Sequence, residues 1–142
     1  MNTQPILIID DDLDDKEFIQ EVWKELPYLN ELMFFTHPQD VLILLKDEQI
    51  IPFLIISDIN LPTMSGFEFK RKLLGDTALN YKSIPFVFFS GVASNEQIQK
   101  SYELGSNGFF VKNGSIAELK ETFITIVEYW QKSKVPQLRK VE

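Results

Sequence analysis

Length, composition and charge limit what this chain of 142 residues can be. Its length fits one domain, and 44% hydrophobic with 25% charged residues is typical of a folded globular protein. A formal net charge of -7 argues against general binding to nucleic acid or to anionic membranes, since both use a basic surface. The absence of cysteine excludes disulfides, thiolate metal sites and cysteine nucleophiles.

The N-terminal segment carries one short apolar run, ILII, which is followed directly by carboxylates. A signal peptide or a membrane span needs a longer apolar stretch, so we expect a cytoplasmic protein without a membrane segment. We also expect a single domain over residues 1–133, a short tail over 134–142 and no output domain.

Short apolar runs alternate with segments of helical periodicity, which is typical of βα units around a parallel sheet. The predicted strands are 6–9, 32–35, 53–57, 86–89 and 109–111. Asp14 or Asp15 lies near the start of the first helix, where the helix dipole favours negative charge. The other helices are expected over 38–48, 65–75, 95–104 and from 116 to 130.

Polar side chains follow four of the predicted strands. Asp10 and Asp11 follow the first, Asp58 the third, Ser90 the fourth and Lys112 the fifth. The carboxyl ends of parallel strands meet at one edge of the sheet, where such folds bind ligands. We therefore expect these side chains to form one cluster.

Clustered carboxylates repel one another unless a cation neutralises them. Oxygen ligands suit a hard divalent ion, and Mg2+ fits them better than zinc or copper. Asp58 can act as a nucleophile that forms an aspartyl phosphate, while Lys112 adds positive charge and Ser90 a hydrogen bond. Taken singly, each residue is explained more simply as a helix cap, a turn former or a surface lysine, and only their joint placement favours chemistry.

Four segments carry a family resemblance: ILIIDDD, LIISDINLPTMSGFEF, IPFVFFSG and GSNGFFVK. With their order and spacing, the chain resembles the response-regulator receiver family over about residues 5–132. The resemblance implies an α/β, flavodoxin-like, doubly wound five-stranded parallel sheet of order 2-1-3-4-5 with five helices.

By position, the resemblance makes Asp58 the phosphoacceptor at the end of the third strand. It makes Asp10 and Asp11 the acidic pair that binds Mg2+ with Asp58, Asp11 more directly and Asp10 more through water. The backbone carbonyl of Asn60 would complete the metal shell.

The same resemblance assigns a switching role to two residues and a charge-neutralising role to a third. Ser90 matches the hydroxyl position that moves toward the phosphoryl group, Phe109 matches the aromatic residue that changes rotamer, and Lys112 matches the lysine of the family. The implied donor is a sensor histidine kinase or a histidine phosphotransfer protein in a phosphorelay. The implied output is a change in protein–protein interactions rather than enzymatic turnover.

The segment YWQKSKVP resembles single-domain receivers of the phytochrome-associated kind. That resemblance leaves open a homodimer through the last helix and the fifth strand. It also leaves open the alternative that Tyr129 and Trp130 only pack the end of the helix.

Two positions depart from the family pattern. Asn113 follows Lys112 where the family usually has a proline, often in the cis form, and a cis bond at a non-proline residue costs about 2.5 to 4 kcal/mol. The state of the Lys112–Asn113 peptide is therefore open. Ser65 stands where many members have an acidic residue, which changes the local charge but not the expected chemistry.

Three other functions compete with phosphoryl acceptance. A magnesium-dependent phosphohydrolase needs an aspartate two positions after the nucleophile, where this chain has Asn60. A receiver that only binds partners and does not use phosphorylation is favoured by Asn113. A flavin-binding protein of the same fold needs a hydroxyl- or glycine-rich phosphate loop after the first strand, and acidic residues occupy that place.

Overall fold

A computed structural model describes residues 1–47, 50–75, 83–112 and 114–136. Within these ranges five strands alternate with five helices along the chain. The strands are β1 (Ile6–Ile9), β2 (Leu32–Phe35), β3 (Leu54–Ser57), β4 (Phe86–Ser90) and β5 (Gly108–Val111). The helices are α1 (Leu13–Lys24), α2 (Pro38–Lys46), α3 (Gly66–Gly75), α4 (Asn95–Glu103) and α5 (Ile116–Lys132).

The strands form one parallel sheet in the order β2-β1-β3-β4-β5, which confirms the predicted fold class. Strands β1, β3 and β4 are buried along their whole length. Helices cover both faces of a doubly wound sheet, so its inner strands carry continuous apolar runs instead of alternating polar and apolar residues. This burial explains why the runs were visible in the sequence.

The two faces of the sheet form two separate hydrophobic cores. Ile6 and Ile8 of β1 pack with buried residues of α1 and α5, including Phe123. Leu7 and Ile9 point the other way and pack with buried residues of α2 and α3. Successive side chains of a strand alternate between its faces, so this one strand supports both cores and fixes the sheet between them.

Some element ends differ from the predicted ones by one or two residues. Ser90 is the last residue of β4 instead of the residue after it, because it pairs with Val111 of β5. Phe53 precedes β3 and donates its N–H to Pro5 C=O at 2.8 Å. The predicted end of the second helix at residue 48 lies outside the described residues.

The start of α1 is fixed by an aspartate cap. Asp12 Oδ1 accepts the backbone N–H groups of Asp14 at 2.8 Å and of Asp15 at 3.3 Å. A capping carboxylate satisfies N–H groups that have no partner within the helix. The cap therefore sets which residues form the first turn, and it places Asp14 and Asp15 there as predicted.

Across the described part of the chain, no helix is long and apolar enough to cross a membrane.

Candidate functional site

Backbone hydrogen bonds bring the strand ends together at the carboxyl edge of the sheet. Asp10 N–H donates to Phe35 C=O at 3.0 Å, Asp58 N–H donates to Ile9 C=O at 2.9 Å, and Lys112 N–H donates to Ser90 C=O at 2.8 Å. Each bond continues the strand pairing one residue past a strand. The backbone of three candidate residues is therefore positioned by the sheet itself.

Lys112 lies at the centre of the cluster. Its Nζ is 2.8 Å from Asp58 Oδ2, 2.8 Å from Asp15 Oδ2 and 3.0 Å from Asp10 Oδ2. An ammonium group has three N–H donors, so three carboxylates match its full capacity. The structure thus joins Lys112 to Asp58 and Asp10 as predicted, and adds Asp15.

The charge of Lys112 is stabilised by these contacts. Burial alone lowers the pKa of Lys112, but hydrogen bonds to Asp15 and Asp58 and the charge of Asp10 more than offset it, so the pKa lies above its ordinary value. Lys112 therefore remains an ammonium ion at physiological pH.

Asp58 is held at both carboxylate oxygens. Oδ1 accepts the N–H of Ile59 at 2.7 Å, and Oδ2 accepts from Lys112 at 2.8 Å. The residue is 9% exposed, which leaves a restricted approach from solvent. A carboxylate fixed in this way presents its remaining lone pairs in a defined direction.

The loop after Asp58 folds back tightly because of a glycine. Gly66 N–H donates to Ile59 C=O at 2.8 Å, and a methyl group at Gly66 would overlap the carbonyl oxygen of Asp58. In the same loop Thr63 has a φ of 66°, in the left-handed region that β-branched residues rarely adopt. Gln39 Nε2 of α2 donates to Thr63 Oγ1 at 2.8 Å and ties the loop to the neighbouring helix.

Three carboxylates fit a divalent cation. Oxygen atoms of Asp10, Asp11 and Asp58 all lie within 4.8 Å of one another. Such a set of hard oxygen ligands suits Mg2+, which commonly takes a few carboxylates and completes its shell with water and phosphate oxygens. Asp11 is exposed, so one side of the group is open to solvent. Asn60 is exposed two residues after Asp58, on the same loop.

Burial makes the Asp10 carboxyl group a weaker acid than an ordinary aspartate when no metal is bound. It raises the pKa of Asp10 to about 6, although the Asp12 N–H and Lys112 act in the opposite direction. The ordinary value is 3.8, so the folded protein holds this proton more tightly than the unfolded chain does. The stability that this proton contributes is complete below pH 3.8 and is lost as the pH rises through about 6.

An Asp10→Asn variant should therefore be more stable than the wild type at neutral pH when metal is removed. The gain is at most about 3 kcal/mol, and it should disappear below about pH 4. Urea unfolding in EDTA across this pH range measures it. Asp11→Asn removes an exposed carboxylate of the same acidic run and should change stability less. Lower stability of Asp10→Asn at neutral pH would contradict the assignment.

Ser90 ends β4 and Phe109 lies on β5, and neither side chain bonds to Asp58 in the described part of the chain. Ser90 is buried, and its Oγ accepts the N–H of Val92 at 3.3 Å. Phe109 is half-buried on β5, with its ring centroid 6.4 Å from that of Phe88. Their predicted switching roles concern a second state and stay predictions. Asn113 lies outside the described residues, so its peptide bond also stays open.

Sequence reasoning missed two members of this site. It placed Asp15 only at a helix N-terminus, whereas the side chain reaches Lys112. No sequence signal showed this contact, because Asp11 lies before the Asp12 cap and the helical repeat does not relate it to Asp15. It placed Gly66 only at the start of the helix expected over 65–75, and no sequence signal showed how closely Gly66 approaches the carbonyl oxygen of Asp58.

The fold and the cluster together define an α/β protein of flavodoxin-like architecture with a group of carboxylates and one lysine at the carboxyl edge of its sheet. The sequence model of one protein family, the response regulator receiver domain, matches residues 6–124. The chain therefore belongs to the response regulator receiver domain family, whose members act in two-component signalling. Receiver domains bind Mg2+ or Mn2+ at an acidic pocket and receive phosphate from histidine kinases, and the group of Asp10, Asp11 and Asp58 fits such a pocket.

Solved structures of similar fold include two response regulators. The phosphorylated cyanobacterial phytochrome response regulator RcpA is 25% identical, with a TM-score of 0.85 over 96% of this chain and 100% of that one. The Mn2+-bound form of response regulator Rcp1 is 25% identical, with a TM-score of 0.82 over 94% of this chain and 99% of that one.

Curated relatives are similar over part of their length. Chemotaxis protein CheY-3 of Vibrio cholerae is 32% identical over 74 residues, which are 52% of this chain and 55% of that protein. The protein-glutamate methylesterase/protein-glutamine glutaminase of Trichodesmium erythraeum is 24% identical over 136 residues, 94% of this chain and 36% of that protein. The chain thus spans 36% of one relative and 55% of the other.

Proposed function

We propose that this chain is a response regulator that accepts a phosphoryl group on Asp58 and transmits the signal through altered protein–protein contacts. One observation carries the proposal: the Asp58 carboxylate is held by Lys112 at 2.8 Å and lies within 4.8 Å of the carboxylates of Asp10 and Asp11. A nucleophile, a cation and a metal-binding pair thus meet at one point.

The reaction needs one bond formed and one broken. A carboxylate oxygen of Asp58 bonds to the phosphorus of a phosphohistidine donor while the phosphorus–nitrogen bond breaks, and its electron pair returns to the donor imidazole. Mg2+, held by Asp10, Asp11, Asp58 and the backbone carbonyl of Asn60, would offset the charge of the transferring group. Lys112 donates to a phosphoryl oxygen and adds a second positive charge.

The signal would leave the site through Ser90 and Phe109. The Ser90 hydroxyl, whose oxygen now accepts the Val92 N–H, would move and donate its hydrogen to a phosphoryl oxygen, and Phe109 would change rotamer in response. A phosphoryl group shifts a two-state population tenfold when it favours one state by about 1.4 kcal/mol. One charge-assisted hydrogen bond is of that size.

The proposed partner is a sensor histidine kinase or a histidine phosphotransfer protein. Similarity to two response regulators, one of them a phytochrome response regulator, supports a sensor of the phytochrome class as the donor. Exposed Val111 on β5 and Tyr129 on α5 support a homodimer through those elements. Phosphorylation at the carboxyl edge of the sheet would alter the contact with the kinase partner or the contact between the two subunits of the homodimer.

Acetyl phosphate tests the proposal without a known kinase. Wild-type protein incubated with acetyl phosphate and Mg2+ should gain one phosphoryl group by intact-mass spectrometry, and EDTA should prevent the gain. No gain in Mg2+ would contradict the proposal and favour a receiver that only binds partners. Sustained turnover of a small phosphomonoester would favour the phosphohydrolase instead.

A further inference from the structure

Asp15 contacts the site from a helix instead of a strand end. Its Oδ2 lies 2.8 Å from Lys112 Nζ, as close as Asp58 Oδ2, and its side chain is 28% exposed. The three carboxylates that share a possible cation position are Asp10, Asp11 and Asp58, and Asp15 stands outside that group. It is therefore a partner of the lysine and not a member of the metal set.

The two other partners of Lys112 both change during the proposed reaction. A bound cation would partly neutralise the negative charge of Asp10 and Asp58, which would weaken their electrostatic attraction for Lys112. Phosphorylation would also convert the Asp58 carboxylate into an acyl phosphate. Asp15 alone among the three contacts of Lys112 keeps its full charge through both events.

The position of Asp15 also suits it to restrict the side chain of Lys112. It lies in the first turn of α1, where its N–H donates to the capping carboxylate of Asp12 at 3.3 Å. Lysine has a long flexible side chain, and ordering it costs conformational entropy. An anchor on a capped helix can restrict that side chain before the phosphoryl group arrives.

We propose that Asp15 is a positioning residue that keeps the Lys112 ammonium at the phosphoryl site after Asp10 and Asp58 have changed partners. The inference rests on the proposed phosphorylation of Asp58 and extends it to a residue on α1. Asp15 takes one of the three N–H donors of Lys112 and leaves the others for phosphoryl oxygens.

A different role for Asp15 would change anion binding in the opposite direction when the residue is removed. If it contributed only negative charge, it would repel an incoming anion, and its removal would tighten anion binding. If it positions Lys112, its removal loosens the lysine and weakens anion binding. The direction of the change therefore separates the two roles.

Beryllofluoride with saturating Mg2+ is the probe, and fluorine NMR reports both its dissociation constant and the chemical shifts of the bound fluorines. Asp15→Ala should weaken beryllofluoride binding about tenfold, a factor in the range of one charge-assisted hydrogen bond. It should also shift the bound fluorine signals, which a loss of fold stability alone would not do. Asp15→Asn keeps an acceptor oxygen and should fall between Asp15→Ala and the wild type.

Asp14→Asn is the matched control, since it removes the same charge from the same helical turn at an exposed position. It should bind like the wild type. Equal or tighter binding by Asp15→Ala, with wild-type fluorine shifts, would overturn the positioning role and leave the proposed function standing. A wild-type protein that binds no beryllofluoride would overturn the proposed function, and the positioning role would fall with it.

Discussion

Asp58→Asn should abolish the phosphoryl gain from acetyl phosphate. The amide has nearly the shape of the carboxylate, and its oxygen can still accept the Ile59 N–H that now binds Asp58 Oδ1 at 2.7 Å. The fold should therefore persist while the anionic nucleophile is lost. Intact-mass spectrometry of wild type and variant, treated alike with Mg2+, measures the effect, and circular dichroism checks the fold.

The control for Asp58→Asn is Asp40→Asn, which removes an exposed carboxylate from the first turn of α2. This variant should be phosphorylated as fully as the wild type. If Asp58→Asn still gained a phosphoryl group, the acceptor would be another side chain, and the central role given to Asp58 would be wrong.

Gly66→Ala should lower the free energy of unfolding by about 3 kcal/mol, at the upper end of the usual cost of overpacking. The added methyl group overlaps the carbonyl oxygen of Asp58. Neither side can move freely, because Asp58 N–H is bonded to Ile9 C=O and Gly66 N–H to Ile59 C=O. Urea unfolding measures the loss. Phosphorylation of the folded fraction should also slow, since relief of the overlap displaces the backbone of Asp58, the proposed acceptor.

Gly75 is the natural comparison because it ends the same helix, and no atom of the described residues lies within 4 Å of an added methyl group there. Gly75→Ala should leave stability unchanged or raise it by up to about 1 kcal/mol, since alanine favours helix over glycine. Equal stability of the two alanine variants would show that the close approach at Gly66 does not constrain the loop.

The arrangement of the sheet was predictable because its physical causes are visible along the chain. Inner strands of a doubly wound sheet carry nearly continuous apolar runs, so β1, β3 and β4 stand out in the sequence. Residues just after parallel strands share one edge, so Asp58 and Lys112 could be brought together without coordinates. The error at Ser90 was one residue, and it arose because strand pairing with β5 reaches one position further than the apolar run.

The missed features depend on how elements dock and not on their periodicity. Helical spacing shows which residues share a face of α1, but it does not show that Asp15 reaches the lysine after β5. The loop after β3 was equally unpredictable, since neither the left-handed φ of Thr63 nor the contact between Gly66 and Asp58 leaves a pattern in the sequence. Such contacts follow from packing in three dimensions.

The most direct test of phosphorylation at Asp58 is to trap the product chemically. Protein treated with acetyl phosphate and Mg2+ is reduced with borohydride, which converts an aspartyl phosphate into homoserine, and peptides are then mapped by mass spectrometry. We predict homoserine at position 58 and at no other carboxylate. Homoserine at Asp10, Asp11 or elsewhere, or none at all in phosphorylated protein, would contradict the assignment of Asp58 as the acceptor.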